Sequence, residues 1–135
     1  MKRLFQVTFL FVAVMAFVVA TATAQTAKKK GTTTKGNTTI VSTRGVVRGV
    51  KGFASDTPVK IFIEKGKIKK IEAQPNQETP SIFARAEEVL KRFVGKSVSE
   101  AQSMQVDAVS GATYSSKALV KTVKEGLKYY ENNKK

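Results

Sequence analysis

The sequence predicts a small α+β domain, in which an antiparallel sheet, built from a β-hairpin and flanking strands, packs with about two helices. Residues 59–71 alternate between apolar and charged side chains around Lys65-Gly66, which is typical of a β-hairpin. Apolar residues then recur at helical spacing after Pro80 and again after Thr113. The length of 135 residues favours a single domain.

The first 24 residues are predicted to be an export signal and not part of the fold. Lys2 and Arg3 precede an apolar run, which ends in Ala22-Thr23-Ala24. This order is typical of a secretory signal with an A-x-A cleavage site. The run also approaches the length that crosses a bilayer, about 20 residues, so an uncleaved anchor is the alternative. We therefore expect an exported protein, periplasmic or otherwise extracytoplasmic, that is either released or held at the membrane.

Residues 25–39 are predicted to be a flexible tether. They are rich in Thr, Lys and Gly, and their one apolar residue is an Ala. Such a segment buries too little apolar surface to offset the entropy lost on ordering. The folded domain is therefore expected to cover residues 40–135. Within it, residues 46–54 mix apolar residues with glycines, which predicts a strand that bends ahead of the hairpin.

The hairpin and the helices follow from the spacing of apolar residues. One face of residues 59–71 is apolar and the other is largely lysine, so we expect a sheet covered on one side only. A helix is predicted from Pro80 to Phe93, with Thr79 as its N-cap and Gly95 at its C-terminal end. A loop follows. The last helix is predicted over residues 113–130, with one face formed by Leu119, Val123, Leu127 and Tyr130.

Composition excludes several kinds of chemistry. Cys and His are both absent, which excludes disulfides, thiol catalysis and thiolate metal sites, and removes the commonest general base. We predict no metal site and no catalytic residue, so any chemistry must come from carboxylates, hydroxyls or a bound cofactor. The net charge of +14 suits an acidic protein, an anionic membrane surface or nucleic acid. The lysines at residues 28–30 and 134–135 are also typical of solvated tails.

The most informative segment runs from Asp107 to Thr113 (Asp-Ala-Val-Ser-Gly-Ala-Thr). It combines an acid, a small bend at Ser110-Gly111 and a hydroxyl where the last helix begins. Free N–H groups and the dipole of a helix start favour a phosphate there, and the Thr113 hydroxyl could be esterified to one. The alternative is that Ser110, Thr113 or Ser115 only caps the helix. The residues alone leave both interpretations open.

This segment resembles the flavinylation motif of the FMN-binding domain family. That family includes the C subunit of the sodium-pumping NADH:quinone oxidoreductase and the G subunit of the related ferredoxin-linked ion-pumping complex. The resemblance extends over residues 46–130. It includes the G-x-x-G-aromatic order ending at Phe53, the hairpin of residues 59–71 and the segment Glu78-Thr79-Pro80. Ser81 departs from the family, which often has Gly there.

The resemblance implies a role for each matched residue. Thr113 would carry FMN covalently through a phosphoester, and the recognition loop would consist of Asp107, Ser110, Gly111 and Ala112. Glu78 and Thr79 would face the flavin, and Ser81 puts the shape of that loop in doubt. Lys117, one turn after Thr113, is a candidate neighbour of the phosphate or the ring, or else an ordinary exposed lysine. Phe53 and Tyr114 are candidates to pack beside the flavin or in the core.

The resemblance also implies a function and partners. We expect an electron-transfer flavoprotein that is loaded by a magnesium-dependent flavin transferase with FAD as donor. Its partners would be redox proteins or a membrane quinone reductase, with a loose membrane-surface association as a further expectation. One alternative is the module through which electrons enter a separate extracytoplasmic reductase. Others are non-covalent FMN binding, a sensor, and a secreted basic polyanion-binding protein without flavin. We do not expect nucleic acid, because aromatic residues are not interleaved with the lysines of the hairpin.

Overall fold

The computed structural model describes residues 28–29 and 31–134, and in this part of the chain an antiparallel sheet packs against helices. Consecutive strands are neighbours in the sheet, so the strand order follows the sequence. The strands are β1 (Lys28–Lys29), β2 (Thr32–Lys35), β3 (Thr38–Ser42), β4 (Val59–Glu64) and β5 (Lys67–Ala73). The helices are α1 (Pro80–Ala86), a 3₁₀ helix (Glu87–Arg92), α2 (Val98–Ser103) and α3 (Thr113–Asn133). The predicted α+β class is confirmed.

The predicted export signal of residues 1–24 lies outside the described residues. Among the residues that the structure does describe, no helix is both long enough and apolar enough to cross a bilayer.

The hairpin of β4 and β5 forms as predicted. Val59, Ile61 and Ile63 of β4 are buried, and Lys60 on the other face is exposed. A register shift follows Phe62, so that Phe62 pairs with Lys70 but Ile63 pairs with Ile68. Lys69 of β5 is the extra residue, since the pairing register leaves it without an opposite residue in β4. In a regular strand, residues three apart point to opposite faces, but this extra residue places Ile68 and Ile71 on the same face.

The prediction of a tether is wrong for residues 28–29, which form β1 and pair with β2, and for residues 32–39. Strands β2 and β3 occupy this range, and β3 pairs in turn with β4, with Val41 fully buried opposite Ile61. Threonine is β-branched and fits a half-buried strand. Backbone pairing needs no apolar side chain, so counting apolar residues missed these strands. Residues 28–29 and 31–39 therefore belong to the folded domain.

The prediction of a strand over residues 46–54 is also wrong. Residues 43–58 form a loop, whose one bridge pairs Lys51 with Asp56. The φ angles of Gly45 and Gly49 are 84° and 77°, so the backbone turns twice instead of extending. The loop is closed at its base by Thr43, whose side chain accepts a hydrogen bond from Val59 N (2.8 Å) and donates one to Val59 O (3.1 Å).

A helix begins at Pro80 as predicted, but it is not a single α-helix up to Phe93. The α-helix ends at Ala86, and a 3₁₀ helix continues to Arg92. Residues three apart eclipse in a 3₁₀ helix, so Ala86 aligns with Val89, and Leu90 with Phe93, and all four are buried. Thr79 has the extended backbone of an N-cap, but its side chain makes no capping hydrogen bond.

Helix α2 lies inside the segment predicted to be a loop. Ser97 caps it by accepting a hydrogen bond from Glu100 N, and the Ser-x-x-Glu spacing that signals such a start is present in the sequence. Helix α3 agrees with its prediction. It contacts β3, β4, α1 and the 3₁₀ helix, and it buries Leu119, Val123 and Leu127 in the core.

Candidate functional site

The segment from Asp107 to Thr113, here called the motif loop, makes a tight turn before helix α3. Ala112 N donates a hydrogen bond to Val109 O at 3.0 Å, which closes a four-residue turn. Gly111 occupies the third position with φ of 80°. A turn with positive φ at this position is of type II and strongly favours glycine there. The local chemistry of the loop therefore explains why glycine stands two residues before Thr113.

Ser116 fixes the motif loop to the first turn of helix α3. Its buried hydroxyl accepts a hydrogen bond from Val109 N at 3.0 Å and donates one to Thr113 O at 3.2 Å. Val109, where the turn begins, and Thr113, where the helix begins, are thus tied to one side chain. The backbone around Thr113 is consequently held in place by the protein itself.

Thr113 begins helix α3 with its side chain exposed. The N-cap residue is Ala112, and no side chain caps the helix. The alternative in which a hydroxyl of Ser110, Thr113 or Ser115 caps this helix is therefore wrong. The first N–H groups of a helix have no partner within it, and together with the helix dipole they favour an anion.

Glu78 lies beneath this helix start and joins three segments of the chain. The residue is only 6% exposed. It accepts hydrogen bonds from Phe53 N at 2.7 Å, Ala54 N at 2.6 Å and Ser55 N at 3.2 Å, and from the Ser115 hydroxyl at 3.0 Å. The loop of residues 52–55, the start of α1 and the first turn of α3 are therefore held by one buried carboxylate. Hydrogen bonds to a charged acceptor are among the stronger ones in proteins.

The Glu78 carboxylate also explains Gly52. A Cβ atom at this position would lie 1.7 Å from Glu78 Oε1 and 3.2 Å from Thr57 Cγ2. No side chain fits into that space without displacing the carboxylate. Gly52 therefore allows the loop backbone to approach Glu78 closely enough for the next three N–H groups to reach it.

A cleft of about 290 Å³ opens above the Glu78 cluster. Its lining is mostly apolar, and two large aromatic rings stand at its edge. Phe53 is 70% exposed and Tyr114 is 68% exposed, and their ring centroids are 6.2 Å apart at an interplanar angle of 46°. Such rings offer flat apolar surface to a ligand. The lining residues are Phe53, Ile82, Gly111, Ala112, Thr113, Tyr114 and Ser115.

The predicted site residues divide into two groups. Gly111, Ala112 and Thr113 line the cleft, as do the aromatic candidates Phe53 and Tyr114. The others do not line it: Asp107, Ser110, Thr79, Ser81 and Lys117 are exposed elsewhere, and Glu78 is buried below. The hydrogen bonds of Glu78 show that it acts on the chain itself, through the loop that carries Phe53.

Sequence reasoning missed the roles of four residues that shape the site. Ser115 and Ser116 precede Leu119 by four and three residues, so helical periodicity already indicated that they face the interior. Ile82 lines the cleft from helix α1. Arg85, one turn further along α1, has its Nη1 atom 3.1 Å from the point that a Cβ of Gly111 would occupy. No local pattern signalled the positions of Ile82 and Arg85.

Comparison with known families agrees with this geometry. The family described as FMN-binding domain matches residues 52–128, which is more than half of the chain. The chain belongs to the FMN-binding domain family. The matched range starts at Gly52 and includes Glu78, the motif loop and most of helix α3. No curated protein and no solved structure showed significant similarity to the chain.

The residues of this FMN-binding domain fit the cofactor of its family. FMN has a planar aromatic ring system and an anionic phosphate. The two exposed aromatic rings of the cleft suit the ring system, and the N–H donors at the uncapped start of helix α3 suit the phosphate. The family assignment and this fit identify the protein as a flavin-binding electron-transfer domain.

Proposed function

We propose that this FMN-binding domain carries FMN covalently, through a phosphoester to Thr113, and relays electrons outside the cytoplasm. One observation carries the proposal. The hydroxyl that opens helix α3 is exposed, faces no capping partner, and lines the same cleft as the exposed rings of Phe53 and Tyr114. A phosphate bonded to Thr113 would meet the favourable end of the helix dipole, beside a flat apolar surface.

Attachment would follow from the chemistry of a threonine hydroxyl and FAD. A bond forms between Thr113 Oγ and the FMN phosphorus while the pyrophosphate bond of FAD breaks. AMP leaves, and the hydroxyl proton is lost. We propose that a magnesium-dependent flavin transferase performs this step, as the resemblance of residues 107–113 to the flavinylation motif implies.

The division of labour between flavin and protein then follows. FMN, when bound, supplies the redox chemistry, and the protein supplies attachment, orientation and electrostatics. Thr113 tethers the cofactor. Phe53, Tyr114 and Ile82 provide surfaces that orient the ring, and Glu78 holds the loop of Phe53 against helix α3. A covalent tether also prevents loss of the cofactor into a dilute extracytoplasmic space.

The N-terminal pattern supports an extracytoplasmic location, and the high positive charge supports acidic redox proteins or a membrane quinone reductase as partners. An electron carrier forms transient complexes whose rates fall with salt. The module through which electrons enter a separate reductase would instead form a stable stoichiometric complex. Gel filtration with a candidate reductase distinguishes these two roles.

The covalent linkage is tested by intact mass and by flavin fluorescence after denaturation. The protein is exported in cells that contain a flavin transferase, alongside a family member that is known to be loaded. We expect a mass increase of one FMN moiety and a fluorescent band in the wild type. Both should be lost in Thr113→Val, which removes the hydroxyl but keeps the shape of the side chain.

Ser99→Ala is the matched control, because it removes an exposed hydroxyl of helix α2, outside the motif loop and the cleft lining, and should leave the mass increase unchanged. An unmodified wild type beside a loaded positive control would refute covalent attachment. A mass increase that survives in Thr113→Val would move the attachment point to another residue.

A further inference from the structure

Arg85 of helix α1 lies against the motif loop, although the two are distant in sequence. Its Nη1 atom is 3.1 Å from the position that a Cβ of Gly111 would take. The guanidinium is therefore in contact distance of the backbone two residues before Thr113. This proximity comes from the packing of α1 against α3, which is among the larger helix contacts of the domain.

The positive φ of 80° is what favours glycine at position 111. The Arg85 guanidinium is close enough that a Cβ at this position would require it to move by a few tenths of an ångström, which an exposed arginine can do. The distance therefore does not require a glycine, but it does show that a cation lies directly beside the turn.

The guanidinium has no anionic partner among residues 28–29 and 31–134. The ion pairs described there join lysines to glutamates, as in Lys91 with Glu88 and Lys96 with Glu100. Arg44, by contrast, donates a hydrogen bond to Pro75 O at 2.6 Å. Arg85 is exposed, and its Nη1 lies beside the motif loop. It is consequently available to an anion that arrives at this loop.

We propose that Arg85 binds the phosphate of the flavin attached to Thr113, an inference that rests on the proposed function. The phosphate would be the part of the cofactor bonded directly to Thr113, so it is the anion closest to the motif loop. A guanidinium is planar and offers paired donors that match phosphate oxygens, whereas a lysine offers a point charge. The structure therefore favours Arg85, whose Nη1 lies beside Gly111, over Lys117, whose side chain makes no described hydrogen bond or ion pair with the motif loop.

The test compares four flavin-loaded proteins with the wild type: Arg85→Gln, Arg85→Lys, Lys117→Gln and, as a matched control, Arg92→Gln. Arg92 is an exposed arginine of the 3₁₀ helix outside the cleft lining. Phosphorus-31 NMR reports on the phosphoester, flavin fluorescence anisotropy on the mobility of the ring, and potentiometry on the midpoint potential. Circular dichroism establishes that each variant is folded.

We expect Arg85→Gln to shift the phosphorus resonance and to lower the anisotropy, with the midpoint potential unchanged. Arg85→Lys should have a smaller effect on both, and Lys117→Gln and Arg92→Gln should match the wild type. A purely structural role of Arg85 would not move the phosphorus resonance of a folded variant.

Several outcomes would overturn the inference. These are an Arg85→Gln protein that matches the wild type, a phosphorus shift in Lys117→Gln instead, or an Arg85→Gln effect confined to the midpoint potential. If Arg85→Gln folds but takes up no flavin, the phosphorus resonance is measured in Arg85→Lys instead. A resonance identical to that of the wild type in Arg85→Lys would overturn the inference. Loss of loading in both folded Arg85 variants supports it, because transfer delivers the same phosphate. A wild type without flavin contradicts the proposed function itself.

Discussion

The base and the edge of the cleft differ sharply although they are built from adjacent residues. At the base, Glu78 is 6% exposed and receives four hydrogen bonds. At the edge, Phe53 and Tyr114 are 70% and 68% exposed. Yet Phe53 donates its N–H to Glu78, and Tyr114 is followed by Ser115, which donates its hydroxyl to the same carboxylate. Hydrogen bonds to Glu78 hold the backbone that carries each ring, whereas the rings themselves are mostly exposed to solvent.

This difference separates two kinds of contribution. Substitutions at the base should change the free energy of unfolding, because they disrupt buried hydrogen bonds. Substitutions at the edge should change how a flavin is held and leave folding nearly unaffected. A site organised in this way keeps its shape before the cofactor arrives, which lowers the cost of ordering the cofactor.

The largest effect should come from Glu78→Ala. Four hydrogen bonds are lost and three N–H groups of one loop lose their acceptor, so we expect the free energy of unfolding to fall by about 3 kcal/mol. Gly52→Ala alone should cost about 2 kcal/mol, because its Cβ displaces the carboxylate. Urea denaturation of both variants measures these values.

The double variant sharpens this prediction. Once Glu78 is replaced by Ala, the atom that crowds residue 52 is gone, so Gly52→Ala should cost much less in that background. Strict additivity of the two losses would show that the two residues act independently, and it would contradict the close contact between them.

Ser115→Ala should have a smaller effect, about 1 kcal/mol, because it removes one hydrogen bond to the carboxylate and leaves the three backbone bonds in place. When Glu78 is already replaced by Ala, Ser115→Ala should cause no further loss in the free energy of unfolding. Ser116→Ala is a useful comparison, because it releases the motif loop instead and should retain its full cost in that background. Thermal denaturation followed by circular dichroism measures both.

The smallest effect on stability should come from the edge. Phe53→Ala and Tyr114→Ala should each change the free energy of unfolding by less than about 0.5 kcal/mol, because both rings are mostly exposed. In the flavin-loaded protein, each should lower the fluorescence anisotropy. Val94→Ala, an exposed apolar residue outside the cleft, is the control and should leave the anisotropy unchanged. Strong destabilisation by Phe53→Ala would contradict the division between base and edge.

The sequence predicted those parts of the fold whose side chains repeat at a regular spacing. Residues 59–71 and the face of Leu119, Val123 and Leu127 gave the hairpin and helix α3, and both are confirmed. The strands at Thr32–Lys35 and Thr38–Ser42 were not predicted, because their threonines produce no alternation of apolar and polar residues. Residues 46–54, in the loop of residues 43–58, were wrongly predicted to form a strand because their valines are apolar, although Gly45 and Gly49 turn the backbone.

The parts of the site formed by neighbouring residues in the chain could be predicted from the sequence. The position of Thr113 at a helix start and the turn at Gly111 follow from residues that are neighbours in the chain. The contacts of Glu78 with Phe53 N and with Ser115 do not, since they join segments with no shared pattern. The same is true of Arg85 beside Gly111. The tertiary packing of the loop of residues 52–55 and of helices α1 and α3 brings these residues together.

The strand order of the sheet has a consequence for the sequence of events during folding. Neighbouring strands are consecutive in the chain, so β4 can pair with β5 after closing only a two-residue turn. The hydrogen bond between Ser115 and Glu78 instead spans 37 residues. Short-range contacts form at a smaller entropic cost than long-range ones. We therefore expect the cleft to be completed after the sheet, only when helix α3 docks, and to be the first part of the domain to open when folding is reversed.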